Sequence, residues 1–354
     1  VTEIVHIDSM RPEAKRDAYG RYLLPDPRTG VEQSWTRATT LAHIPTDDYQ
    51  ITQWKRRMVA EGLTKRPELL TAVSVAAEDL AMADDWRAAK AAKERINELC
   101  DDAARAAGAE DGSKLGTLLH TITEYDDAGR FAEIADQVPA VLLLDVEAYR
   151  RCMDAAGILR PTEFIERIVV NTTVESGGTL DRLLRLADGR LVVGDLKTQK
   201  TVDFGFLEIA IQLAEYAYAD AMLDPDTGGL VPLPEDLDRT VGIVMHLPVE
   251  QGICTLYELD LVAGWEAAQT AYDVQQQRKA SKAMGRPFIP AARPAPQAVD
   301  TGNTTVDQDL YLIRSATHPD ALVALWRDLS ARGCWSELHT QTAAARKAQL
   351  ASGT

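Results

Sequence analysis

Between Phe164 and Thr198 the chain takes on a texture that most constrains its fold. Three short stretches, FIERIVVNTTV, GTLDRLLRL and RLVVGDLKT, are rich in Val, Ile, Leu and Thr, and Ala187-Asp188-Gly189 separates the last two. Branched apolar side chains fit a pleated surface, and Asp-Gly is a turn dipeptide. The pattern predicts a three-stranded antiparallel meander. On a strand, residues two apart share a face. Val192, Gly194 and Leu196 therefore share a face apolar enough to be buried, while Val193, Asp195 and Lys197 project the other way. An acid and an amine side by side on such a strand need an explanation.

The rest of the chain reads as α/β. Residues 1–112 form a mostly helical N-terminal region. In DDYQITQWKRRMVAEGL the apolar residues recur at helical spacing and Gly62 is placed to end the helix. The Ala-rich run from Leu70 to Ala107 predicts one or two further helices that stop near Gly108–Gly112. Residues 113–284 form the core. A helix starts at Ser113 and ends around Asp126–Gly129, and another spans Pro139–Gly157. The meander follows, then the helical stretch FLEIAIQLAEYAYADAML, then the strands TVGIVMHLP and GICTLYELDL, then a helix from Ala263 to Met284. Residues 285–305 concentrate Pro and Gly and read as a linker. Residues 306–354 read as a small helical module with breaks near Pro319 and Gly333.

Composition narrows the setting. With 354 residues and 45% hydrophobic side chains, the chain is long enough for about two domains. It has no apolar run of membrane-spanning length and no basic-then-apolar start of a signal peptide, so a cytoplasmic protein without a membrane partner is expected. Cys100, Cys152, Cys254 and Cys334 show no C-x-x-C spacing, which argues against a zinc ribbon. No G-x-x-x-x-G-K-[ST] is present, so any ATP-driven motor would be a separate chain. The net charge of −16 speaks against coating nucleic acid through the global field, but leaves room for a local basic channel. The best basic stretch is Trp54, Lys55, Arg56 and Arg57. It reads either as a strand-stacking surface or as the solvated face of a helix whose Trp is buried.

The Asp195–Lys197 pair gains meaning from its neighbours. Asp181 lies on the preceding strand, within reach once the Asp-Gly turn closes a hairpin. Oxygen ligands of this kind suit Mg²⁺ or Mn²⁺, and such an ion polarises a phosphodiester and makes water a better nucleophile. Lys197 is placed to stabilise charge growing on a phosphate. Gln212 and Tyr216 are four apart on the next helix and share a face. His120, on an earlier helix, adds a nitrogen ligand that favours Mn²⁺ somewhat.

The order G-x-x-x-H (Gly116, His120), G-T-x-D (Gly178, Thr179, Asp181), D-x-K-T (Asp195, Lys197, Thr198) and Q-x-x-x-Y (Gln212, Tyr216) resembles the RecB-like branch of the PD-(D/E)XK nucleases, including phage-type exonucleases. The resemblance spans about residues 113–250. It implies a restriction-endonuclease-like three-layer core, a central mixed sheet flanked by helices. It implies metal held by His120, Asp181, Asp195 and the backbone carbonyl of Leu196, with Lys197 as the catalytic lysine and Glu166 as an accessory acid. The implied protein is a Mg²⁺- or Mn²⁺-dependent DNA exonuclease of phage recombination, replication or repair. A recombinase, single-strand-binding protein or helicase on another chain would be its partner. Relatives with an iron–sulfur cluster carry grouped cysteines after the core, and this chain does not, so no cluster is expected. An endonuclease of the same fold and a catalytically silent DNA-processing scaffold stay open as alternatives.

Overall fold

The structure, a computed structural model, describes residues 6–288 and 306–352. The chain divides into two compact units, Val1–Gly285 and Arg286–Thr354. The expected linker lies outside the described residues from 289 to 305.

The first unit starts with β1 (Tyr22–Pro25), β2 (Glu32–Arg37) and α1 (Ala38–Ala42). Three longer helices follow, α2 (Tyr49–Lys65), α3 (Pro67–Ala81) and α4 (Trp86–Ala106). Next come α5 (Asp111–Asp127), α6 (Leu143–Ala155), β3 (Leu159–Asn171), β4 (Ser176–Arg185), β5 (Leu191–Lys197) and α7 (Phe206–Ala217). β6 (Ala221–Leu223), β7 (Leu230–Val231), β8 (Leu237–His246), β9 (Thr255–Asp260) and α8 (Leu261–Ala280) complete it. The second unit holds α9 (Val306–Ser315), α10 (Pro319–Ala331) and α11 (Glu337–Ser352) around its own small core of Ile313, Leu322 and Leu329.

Seven strands run in the order β7-β6-β3-β4-β5-β8-β9, and β2 joins β4 alongside. β3, β4 and β5 form the antiparallel meander that the sequence predicts. β5 and β8 are parallel, connected through α7, so the sheet is mixed. One face is covered by α5 and α6, whose Leu119, Ile122 and Tyr149 pack against Val192 and Leu196. α7 covers the other, with Ile209 and Leu213 against Val193 and Val244. The result is three layers, helix on sheet on helix. The alternation along β5 puts Val192 and Leu196 in one layer and Val193 in the other, as period-two patterning requires.

Three local readings are corrected. Residues 1–112 are not a separate helical region: β1 and β2 lie within it, β2 pairs with β4, and α1 packs on α7 and α8. The part with its own core is α2–α4, built on Leu69, Leu99 and Ala103. Gly62 does not end α2. It is buried inside the helix, where a Cβ would come within 1.7 Å of the Ala103 carbonyl of α4. The glycine permits close helix crossing, and Pro67 provides the stop. The helix that begins at Phe206 does not reach Leu223, because Ala221 and Met222 pair with β3. Strand pairing overrides the helical propensity of that Ala-rich stretch.

Candidate active site

The site forms where two strands part. β4 and β5 are in register from Arg185↔Leu191 to Arg182↔Gly194. Continuing that register would set Asp181 opposite Asp195, but there the ladder stops. Asp181 fills the gap itself, and its Oδ2 accepts the Leu196 N–H at 2.9 Å. A cavity of about 320 Å³ opens at this mouth. Its lining includes His120, Asp181, Asp195, Lys197, Gln212 and Tyr216, so these six expected side chains lie around one space, while the expected accessory acid Glu166 does not line it. Leu196 also lines it. Its side chain is in the core, so the backbone is what faces the cavity.

Motif glycines explain how these segments meet. A Cβ on Gly116 would lie 2.5 Å from Thr198 Oγ1, so α5 touches the end of β5 only because that position is bare. A Cβ on Gly178 would lie 2.6 Å from the Tyr216 ring. Two of the four motifs thus carry a glycine that lets another motif approach.

The electrostatics divide the groups into defined states. Burial holds His120 down at about 4, against the pull of Asp181, whose Oδ2 lies 3.6 Å from Nδ1. The imidazole is neutral near pH 7 and able to ligate. Burial alone would raise Asp181, but His120, Arg182, Lys197 and the Leu196 N–H together hold it below its ordinary value. Asp195 is pushed up to about 6 by burial, opposed by Lys197 and reinforced by Asp181. Lys197 stays charged: burial disfavours the ammonium, but Asp195 and Asp181 outweigh it. Its Nζ sits 2.8 Å from Asp195 Oδ2 and donates to Gln212 Oε1 at 3.5 Å. Gln212 in turn donates to the Tyr216 hydroxyl at 3.1 Å.

Glu166 is fully buried and faces Asp181 across β3–β4, between the pairs Ile165↔Arg182 and Arg167↔Leu180. Its φ of 50° is left-handed, a strained setting for a residue with a Cβ. Burial and the charge of Asp181 push its carboxyl up to about 8. Arg11 Nε donates to its Oε2 at 2.8 Å. Arg11, Arg16 and Arg37 also line the cavity, and none was singled out from the sequence. Arg16 lies over the Tyr22 ring at 3.4 Å. These arginines come from a stretch with no motif, and no sequence signal marks them. The basic stretch on α2 does not line this cavity. Lys55, Arg56 and Arg57 are exposed, and Trp54 is 36% exposed, so the reading of a buried Trp does not hold.

The donors suit a hard divalent cation. They are carboxylates, a carbonyl and a neutral imidazole; among the described residues Asp195 Oδ2 meets only the Lys197 ammonium, and Glu166 Oε1 is buried without a hydrogen-bond partner. Among the described residues no three His, Cys, Asp or Glu side chains stand in a ready-made ligand cage. Asp195 is turned toward Lys197 instead. The four cysteines are free thiols apart from this site. No helix among the described residues is long and apolar enough to cross a membrane. Neither the known protein-family models nor the curated protein sequences contain a match to this chain.

Proposed function

We propose that this chain is a Mg²⁺- or Mn²⁺-dependent nuclease that hydrolyses DNA phosphodiester bonds from strand ends, on a restriction-endonuclease-like core. One observation carries the reading: α5, β4, β5 and α7 bring His120, Asp181, Asp195, Lys197, Gln212 and Tyr216 around a single cavity. His120, Asp181, Asp195 and the Leu196 carbonyl would hold the cation. When bound, it supplies positive charge to the scissile phosphate and makes water a better nucleophile.

The chain's own groups do the rest. Lys197 presents an ammonium to the negative charge that grows on the phosphate. Asp195 and Gln212 hold that ammonium from two sides, and Tyr216 holds Gln212. Arg11, Arg16 and Arg37 give the cavity a local positive rim, which answers the objection raised by the overall charge of −16. Action from ends, and a place in phage recombination, replication or repair beside a recombinase, single-strand-binding protein or helicase, rest on the resemblance of the four motifs.

The test is end-labelled linear DNA incubated with Mn²⁺. Cleavage that stops with EDTA and with Asp195→Ala is the expected result. Covalently closed circular DNA should survive, and its cleavage would make the chain an endonuclease. Binding of DNA without cleavage under any divalent ion would instead leave a silent scaffold.

A further inference from the structure

We propose that Thr123, held by the buried Arg182, is a positioning residue that sets the His120 side of the cavity. The inference rests on the metal-dependent reading above. Arg182 follows Asp181 on β4, and its fully buried side chain reaches α5 and α6. Its Nε pairs with Asp127 Oδ2, and that same oxygen accepts the Tyr149 hydroxyl at 2.7 Å. Its Nη2 donates to Thr123 Oγ1 at 2.7 Å. Thr123 Oγ1 donates onward to the His120 carbonyl at 2.8 Å. Its Nη1 has no hydrogen-bond partner and lies 3.9 Å from Asp181 Oδ2.

One rigid guanidinium therefore touches the helix that carries the imidazole and stands beside the carboxylate that the imidazole faces. A threonine that bonds the carbonyl three residues back is common in helices. A buried arginine that donates to that threonine is not explained by packing. Leu118, Leu119 and Ile122 already dock α5 with apolar surface, and burying a charge is costly unless its geometry is used. Lysine lacks the planar fork that reaches Asp127 and Thr123 at once. The relay ends on the backbone of the residue that would bind metal, so its effect is on where the His120 ring sits.

The experiment titrates Mn²⁺ into the full chain without DNA and reads free Mn²⁺ by electron paramagnetic resonance. Thr123→Val should weaken Mn²⁺ binding about tenfold or more, as expected for loss of a group that orients a ligand. Thr123→Ser keeps the hydroxyl and should bind like the parent. Tyr149→Phe loosens the same buried cluster without touching the relay and should also bind like the parent. Parent-like binding by Thr123→Val would overturn the proposal, as would equal weakening by Tyr149→Phe. If circular dichroism finds Thr123→Val unfolded, Thr123→Ala makes the same test with less bulk. His120→Ala separates the two readings. If the parent binds no Mn²⁺, or binds it no better than His120→Ala, the proposed metal site itself fails. If His120→Ala weakens binding and the Thr123 variants do not, only the relay fails.

Discussion

Asp181 and Arg182 are consecutive on β4, yet they belong to two different kinds of charged cluster. Asp181 sits at the parting of β4 and β5 with Asp195, Lys197 and His120, beside an open cavity. Arg182 lies in a sealed cluster with Asp127, Tyr149 and Thr123, where no side chain reaches water. In the sealed cluster every charge has an opposite charge in contact, and removal of one strands the other. At the mouth, burial weighs on Asp195 and Glu166 more than their cations relieve. Burial raises Asp195, Glu166 and, in the sealed cluster, Asp127 alike, so what sets the mouth apart is the cavity it opens on. Neighbouring residues can thus serve stability and chemistry separately, because alternate strand residues face opposite layers.

The contrast is easiest to break by removing the sealed charge. Arg182→Met leaves Asp127 buried without its partner and should cost about 3–5 kcal/mol of stability. Urea denaturation measures it, and a loss under about 1 kcal/mol would mean that Asp127 simply takes up a proton. The mouth should respond in the opposite way. Lys197→Met should leave the urea midpoint close to the parent's while lowering the rate of DNA cleavage by about 10²–10³-fold. Initial rates on labelled DNA decide this, and an undiminished rate would remove Lys197 from the mechanism.

Packing around the mouth is a smaller effect. Gly178→Ala drives a methyl group into the Tyr216 ring and should cost about 1–3 kcal/mol through overpacking. A thermal melt shows it, and an unchanged midpoint would mean that Tyr216 moves aside freely. The smallest effect is expected from Glu215, a buried acid on α7 with no cation beside it among the described residues. Burial pushes its carboxyl well above the ordinary range. The folded state then keeps a proton that the unfolded chain releases at lower pH, so stability falls as pH rises above the unfolded value. Glu215→Gln carries no such proton. Its melting point should exceed the parent's by more at about pH 9 than at about pH 5. A constant difference would show that the carboxyl ionises in the fold without penalty.

Much of the fold was legible because it follows local periodicity. Branched residues in β3, β4 and β5, the Asp-Gly turn and the alternation of Val192, Val193 and Leu196 set strands and faces before any contact was known. The misreadings came where a contact overrode propensity. Gly62 looked like a stop and is a crossing point, and Ala221–Leu223 looked helical and pairs as β6. The site residues on motifs were legible too, since their spacing places them on particular faces. Arg11 was not: it meets Glu166 across 155 residues of sequence. Arg182 was not, because an arginine in a strand reads as solvent-facing until helices are seen to cover it.

By itself the sequence determined which chemical groups are present, which of them share a face of a strand or helix, and where glycine leaves room. Those properties depend on residues a few positions apart, and steric rules govern them locally. Only the tertiary structure decided that β4 and β5 separate at two aspartates, that a histidine from α5 faces one of them, and that an arginine beside that acid is sealed from water. These outcomes depend on how layers pack across long stretches of chain, where burial and close fit, rather than local preference, select the arrangement.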